Sequence, residues 1–328
     1  MKVGISLPQL GASATRQNIL QMAKRSEQEG FDSLWVSERI LWPLKPKTPF
    51  RGTSSDGSFP VNMQTILDPL DTLTFAAANT NKIALGTSVV NMLFHNPVIL
   101  AKRFATLDVL SHGRIICGLG IGWSKDEYQA CNIPYRHRGR RADEYIQLLK
   151  KVWTDDIVAF KGDFYKVPAS KIGPKPIQKP YCPIYLGGYS QGTFSRIVRY
   201  NASGWIGFIG GPLKTIENMI NMLKDEARKA KIDYGGQFKI ILEGQIRILN
   251  NPSSSSSYKH SQMRFPLAGT TEEVSSDVQR IKEEMNVDHI VFNFNSSLKD
   301  EEQEGIMEEE IDIEETIKTA KQLSKFIR

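Results

Sequence analysis

Cysteine is scarce in this chain: three residues in 328, Cys117, Cys131 and Cys182, with no C-x-x-C pair among them. An odd set without that spacing offers neither a disulfide framework nor a thiolate zinc site, and reads as buried thiols. Long hydrophobic runs are missing as well. No apolar stretch reaches the ~18 to 20 residues that a helix needs to cross a bilayer. The opening "MKVGISLPQL" has no signal-peptide core, because Pro8 and Gln9 interrupt it, so a soluble, cytoplasmic protein without membrane contact is expected. Of the five histidines, His95, His112, His137, His260 and His289, no two stand at metal-ligand spacing. No metal is expected, and a metal-dependent barrel hydrolase is disfavoured.

The charge balance narrows the partners further. The formal net charge is +6, but the positive charge is scattered. Its one dense cluster, "RHRGRR" at 136–141, has no interleaved aromatics and no nucleic-acid motif around it. Nucleic acid is therefore not expected, whereas a mild basic excess suits an anionic small-molecule ligand.

What the sequence does contain is an alternation. "KVGISL" (2–7) reads as a strand and leads into a stretch with Ile19, Leu20, Met22 and Ala23 at helical spacing, closed by Gly30. Further strands are predicted over 32–38, 82–90, 114–120, 184–188, 204–209, 238–249 and 288–294. Helices opened by Asp68-Pro69, Asn96-Pro97 and Pro212 fall between them, with others over 141–153, 271–286 and 311–328. Eight strands alternating with helices predict an α/β chain folded as one (β/α)8 TIM barrel over residues 1–328, with insertions after strands 2, 4 and 7. The insertions are the polar segment 41–62, the Pro-rich excursion 154–182 and the serine-rich loop "NPSSSSSYKH" at 251–260.

Active sites of such barrels lie at the C-terminal strand ends. "GLGIG" at 118–122 has neither the spacing nor the place of a dinucleotide fingerprint. Its alternating glycines either make room inside the barrel or strip one face so that a planar ligand can approach. "LGGYSQG" at 186–192 joins backbone N–H groups, a hydroxyl and a helix start, which suits a phosphate, although Ser190 is equally an ordinary N-cap. Glu38 is a candidate acid or base, or else a salt-bridge partner of Arg39 or Arg51. Trp35 and Phe75 lie on core-facing spacing.

The stretches "EGFDSLWVSE", "DPLDTLTFAAANTNKIALGTSVV", "NPVILAKRFATLDVLSHGRIICGLGIGW", "RGRRADEYIQLLKKVW" and "KPIQKPYCPIYLGG" together resemble the bacterial luciferase-like monooxygenase family, in the branch assigned to coenzyme F420. The resemblance covers residues 1 to about 210. It implies an oxidoreductase that transfers a hydride between a bound deazaflavin, coenzyme F420, and a small organic substrate. It implies further that Ser88-Val89 forms a bulge, often with a non-prolyl cis peptide, that props the ring from behind. Asn91 would line the ring's edge, Gly120 and Gly122 would flank it, and Trp123 would stand at the pocket wall. Gly187, Gly188, Tyr189 and Ser190 would hold the cofactor phosphate. His95 would lie near the active site, and Trp42 would sit over the substrate pocket.

The chain departs from the pattern at one point. Arg39 stands where many relatives carry a histidine after the acidic residue, leaving Glu38 as the first proton candidate. Two alternatives follow, an FMN-dependent monooxygenase using dioxygen and a partner flavin reductase, and a non-catalytic flavin-binding barrel. The resemblance also implies a homodimer through the helices that flank strands two and three.

Overall fold

A computed structural model describes residues 1–50, 57–249, 265–295 and 310–327. Its centre is eight strands: β1 (Lys2–Ser6), β2 (Ser33–Val36), β3 (Ala84–Thr87), β4 (Ile115–Gly120), β5 (Ile184–Gly187), β6 (Gly204–Ile209), β7 (Lys239–Gln245) and β8 (His289–Asn293). Each pairs in parallel with the next, and β8 pairs with β1, so the sheet closes into a (β/α)8 barrel.

Helices α1 (Arg16–Gln28), α2 (Pro69–Ala78), α3 (Pro97–Leu110), α4 (Arg138–Thr154), α5 (Gln191–Arg199), α6 (Leu213–Lys229), α7 (Thr271–Glu284) and α8 (Ile313–Ser324) alternate with the strands. Local chemistry fixes where several begin. Thr15, Asp68 and Asn96 each accept backbone N–H groups of the turn that follows, and Pro69 and Pro97 need no partner for a missing N–H. Thr270 and Glu273 form a reciprocal capping box at α7.

Two apolar layers hold the barrel. Most buried side chains lie between strands and helices, while Trp35, Ile206, Ile241 and Val291 form a separate interior plug with Val89, Ile116 and Tyr185 against it. Glycines shape that plug: a Cβ on Gly4 or Gly86 would stand 2.6 or 2.5 Å from the Trp35 indole. Trp35 is fully buried, as expected, and Phe75 is half-buried under the Arg16 guanidinium.

Three predicted elements differ. The strand expected over 238–249 ends at Gln245, and Arg247–Ile248 pairs instead with Ala268–Gly269. The strand expected over 82–90 stops at Thr87; beyond the cis Ser88–Val89 peptide, Val90–Asn91 pairs afresh with β4. Periodicity carries no sign of that break. The Pro-rich excursion contains an antiparallel hairpin, Val158–Lys161 with Lys166–Ser170. The serine-rich loop, His260 and Arg51 lie outside the described residues. Among the described residues no helix is long and apolar enough to cross a membrane.

Candidate active site at the barrel mouth

The C-terminal strand ends bring three groups of side chains together. The first surrounds Glu38, just after β2. Its Oε2 accepts the Asn91 backbone N–H at 2.7 Å and its Oε1 lies 2.6 Å from His95 Nε2. The carboxylate is 3% exposed and the imidazole 21%, so the pair runs from the interior towards solvent. Two residues separated widely in sequence, both expected at the site, thus form one unit. The expected alternative, a salt bridge from Glu38 to Arg39, is not what forms.

Arg39 turns instead to Glu127, on the short helix Lys125–Ala130, with Nε and Nη2 at 2.9 and 2.5 Å from its two carboxylate oxygens. Glu127 also accepts the Ile40 N–H at 2.9 Å. The Arg39 guanidinium packs 4.9 Å from the Phe59 ring centre and 4.8 Å from that of Trp123. Phe59 and Trp123 stack at 5.6 Å and 17°. Trp42 is tied to the same wall, its indole N–H donating to the Phe59 and Pro60 carbonyls. Trp42 and Trp123 therefore belong to one aromatic wall, with Trp123 still 39% exposed at the mouth.

The second group is the floor, where the glycines lie against protein side chains. A Cβ on Gly120 would lie 2.7 Å from Val89 Cγ2, and one on Gly187 2.9 Å from Val89 Cγ1. A Cβ on Gly122, whose φ is +74°, would meet the Phe94 ring at 2.7 Å. These glycines clear space for protein side chains, Val89 and Phe94. Val89 consequently sits centrally, spanning β4 and β5. Asn91 is 8% exposed, its backbone spent on Glu38 and its side chain against Gly120.

The third group follows β5. Gly188 has φ +127° and abuts Thr193, and its carbonyl accepts the Trp205 indole N–H. Ser190 is the N-cap of α5 but makes no cap bond; its Oγ lies 3.3 Å from Thr193 Oγ1. The Tyr189 hydroxyl donates to the Phe208 carbonyl and accepts the Phe208 N–H, both at 2.7 Å. Burial pushes its pKa up to about 12.

Sequence reasoning missed Glu243, Glu127 and Phe59. Glu243 is buried inside the barrel beneath Ser88, and a lone carboxylate in the apolar run "KIILEGQI" was the only available signal. Of the remaining histidines, His112 and His137 have positive φ in turns. His289 lies in the interior with Nε2 2.8 Å from Ser33 Oγ, and burial lowers its pKa to about 4.

A family profile described as luciferase-like monooxygenase matches residues 1–289. An uncharacterized protein of Mycobacterium tuberculosis (strain ATCC 25618 / H37Rv) is 36% identical over 186 residues, 56% of this chain and 65% of that relative. The match thus spans a little under two thirds of that relative's length. An F420-dependent glucose-6-phosphate dehydrogenase of Amycolatopsis mediterranei (strain U-32) is 26% identical over 287 residues, covering 84% of this chain and 79% of the relative. A monooxygenase from Streptomyces bottropensis superposes with a TM-score of 0.76 at 18% identity, covering 100% of this chain and 98% of its own. An F420-dependent secondary alcohol dehydrogenase superposes with a TM-score of 0.75 at 18% identity, covering 100% and 99%. At such identities the structural likeness establishes the fold. The profile match across 1–289, on a closed barrel with this mouth, places the chain in the luciferase-like monooxygenase family.

Proposed function

We propose that this chain is an oxidoreductase that moves a hydride between a small organic substrate and coenzyme F420 bound at the barrel mouth, with the whole chain acting as one catalytic unit. The observation that carries the reading is the meeting there of an apolar floor, Val89 across Gly120 and Gly187, with a proton-bearing pair, Glu38 and His95. The F420-dependent relative and the F420-dependent structural neighbour support it.

The residues present fit such a group. Val89 offers a ring an apolar seat, with Asn91 beside it at Gly120. The Ser190 hydroxyl meets the Thr193 hydroxyl but takes no backbone N–H of α5, and α5 has no acidic residue in its first turn, so its N-terminal N–H groups and dipole suit a phosphate. When bound, the deazaflavin supplies the atom that takes or gives the hydride. Glu38 is held by the Asn91 N–H, and a proton passes along the 2.6 Å contact between its Oε1 and His95 Nε2, whose ring reaches solvent. The Arg39 charge is neutralised by Glu127, leaving an aromatic wall of Phe59, Trp42 and Trp123 for the substrate.

A homodimer is part of the same reading. Along α3, Ile99, Val109 and Leu110 are 61%, 37% and 59% exposed, an outer face that a second copy would cover.

The test is to mix the protein with oxidised F420 and alcohols, or reduced F420 and imines or activated alkenes, and follow the visible band of the ring. Turnover that Glu38→Gln removes while F420 still binds supports the reading. Turnover only with reduced FMN and dioxygen would replace it with a monooxygenase served by a flavin reductase.

A further inference from the structure

One buried acidic group at the barrel mouth is left unused by the chemistry above. Strand alternation puts Glu243 on the same inward face of β7 as Ile241, which belongs to the interior plug. The carboxylate therefore lies one layer above the plug, towards the mouth, and is 4% exposed. Three strands each bring it a donor. Ser6 Oγ, ending β1, reaches Oε1 at 3.0 Å, and Asn293 Nδ2, ending β8, reaches the same oxygen at 2.6 Å. Ser88 Oγ, just past β3, reaches Oε2 at 2.5 Å.

An apolar side chain would fill this layer without the desolvation cost of a carboxylate. What the carboxylate supplies is a single acceptor on which three strands converge. Burial raises its pKa while the three donors pull the other way. The bonds continue past it: Asn293 Oδ1 accepts the Asn295 N–H at 2.8 Å, and the Asn295 carbonyl accepts Asn62 Nδ2 at 2.6 Å. Asn62 stands in the loop that carries Trp42 and Phe59. One hydrogen-bonded line thus joins Ser88, beside the floor residue Val89, to the base of the aromatic wall.

We infer that Glu243 is a positioning residue for the cofactor floor: by holding the Ser88 hydroxyl it sets where Val89 presents its face to the ring. The inference rests on the reading that a ring lies over Val89. No step of the chemistry passes through Glu243 itself.

The experiment is a double-mutant cycle. Native protein, Glu243→Gln, Ser88→Ala and the double variant are titrated with coenzyme F420 and with FMN, followed by ring fluorescence and the absorption spectrum of the bound ring. The titrations are run well below the thermal midpoint of each protein. The amide of Glu243→Gln can keep Ser6 and Asn293 on its oxygen, but its N–H then faces Ser88 Oγ, which must turn from donor to acceptor, so ring affinity falls by about tenfold. Ser88→Ala falls to a similar extent, and the double variant is no weaker than the worse single one. Where Glu243→Gln does not fold, Glu243→Asp keeps the charge but shortens the reach, and the same cycle is read with it. Variants that lose thermal stability while binding the ring with native affinity and spectrum overturn the inference. So do two effects that simply add. Failure of the native protein to bind either ring overturns the reading on which the inference rests, a separate outcome.

Discussion

Removing the Glu127 carboxylate, by Glu127→Ala, should destabilise the protein far more than removing any surface carboxylate. Arg39 and Glu127 side chains are 8% and 1% exposed and meet through two hydrogen bonds, 2.9 and 2.5 Å. Truncation leaves the guanidinium buried against Phe59 and Trp123 with no counter-charge and leaves the Ile40 N–H without its acceptor. Stranding one partner of a buried pair costs ~3 to 5 kcal/mol. The chain carries its own control in Arg140–Asp163, a 2.6 Å pair whose side chains are 65% and 70% exposed. Breaking that pair should cost ~0 to 1 kcal/mol. Urea unfolding of native, Glu127→Ala and Asp163→Ala measures both. The double replacement Arg39→Met with Glu127→Leu should recover most of the loss, since neither charge is then stranded. A Glu127→Ala cost as small as that of Asp163→Ala would refute the reasoning, and so would a double replacement no better than the single.

The remaining expectations concern the interior, the floor and the outer face. His289 is 4% exposed and its folded pKa, lowered by burial from 6.5 to about 4, keeps it neutral where the unfolded chain binds a proton. Stability is therefore lost as pH falls from 6.5 to about 4, about 2.5 pH units at ~1.4 kcal/mol each, or ~3 kcal/mol in all. His289→Gln should flatten the pH dependence of unfolding over that window, and parallel native and variant curves would contradict the assignment. Gly187→Ala places a methyl 2.9 Å from Val89 Cγ1, and should cost ~1 to 3 kcal/mol in unfolding and weaken ring binding. In sedimentation velocity the native protein should run as a dimer, and Ile99→Asp with Leu110→Glu as a monomer.

The barrel was legible because its strands and helices announce themselves locally. Asp68-Pro69 and Asn96-Pro97 mark helix starts, Gly30 marks a stop, and the strand predicted over 204–209 is Gly204–Ile209 as observed. Legibility ended where geometry depends on distant partners. The break after Thr87 leaves no mark in the periodicity of "KIALGTSVV", and only the family resemblance pointed to the cis Ser88–Val89 peptide found there. Glu38 and His95 were each picked out, but their contact spans 57 positions, and the nearer partner Arg39 was the natural expectation. Arg39 finds Glu127 across 88 positions, and Glu243 is reached by Ser6 and Ser88 across 237 and 155. The glycines were rightly singled out as space-makers, yet sequence alone could not say that Val89 and Phe94 take the space.

The most direct test of the central claim is equilibrium binding of oxidised and reduced coenzyme F420, and of FMN, to the purified protein, read by ring fluorescence. The account predicts that F420 binds at about micromolar concentration or below and that FMN binds more weakly. Binding of neither ring would contradict the proposal that this barrel mouth holds a flavin-type cofactor.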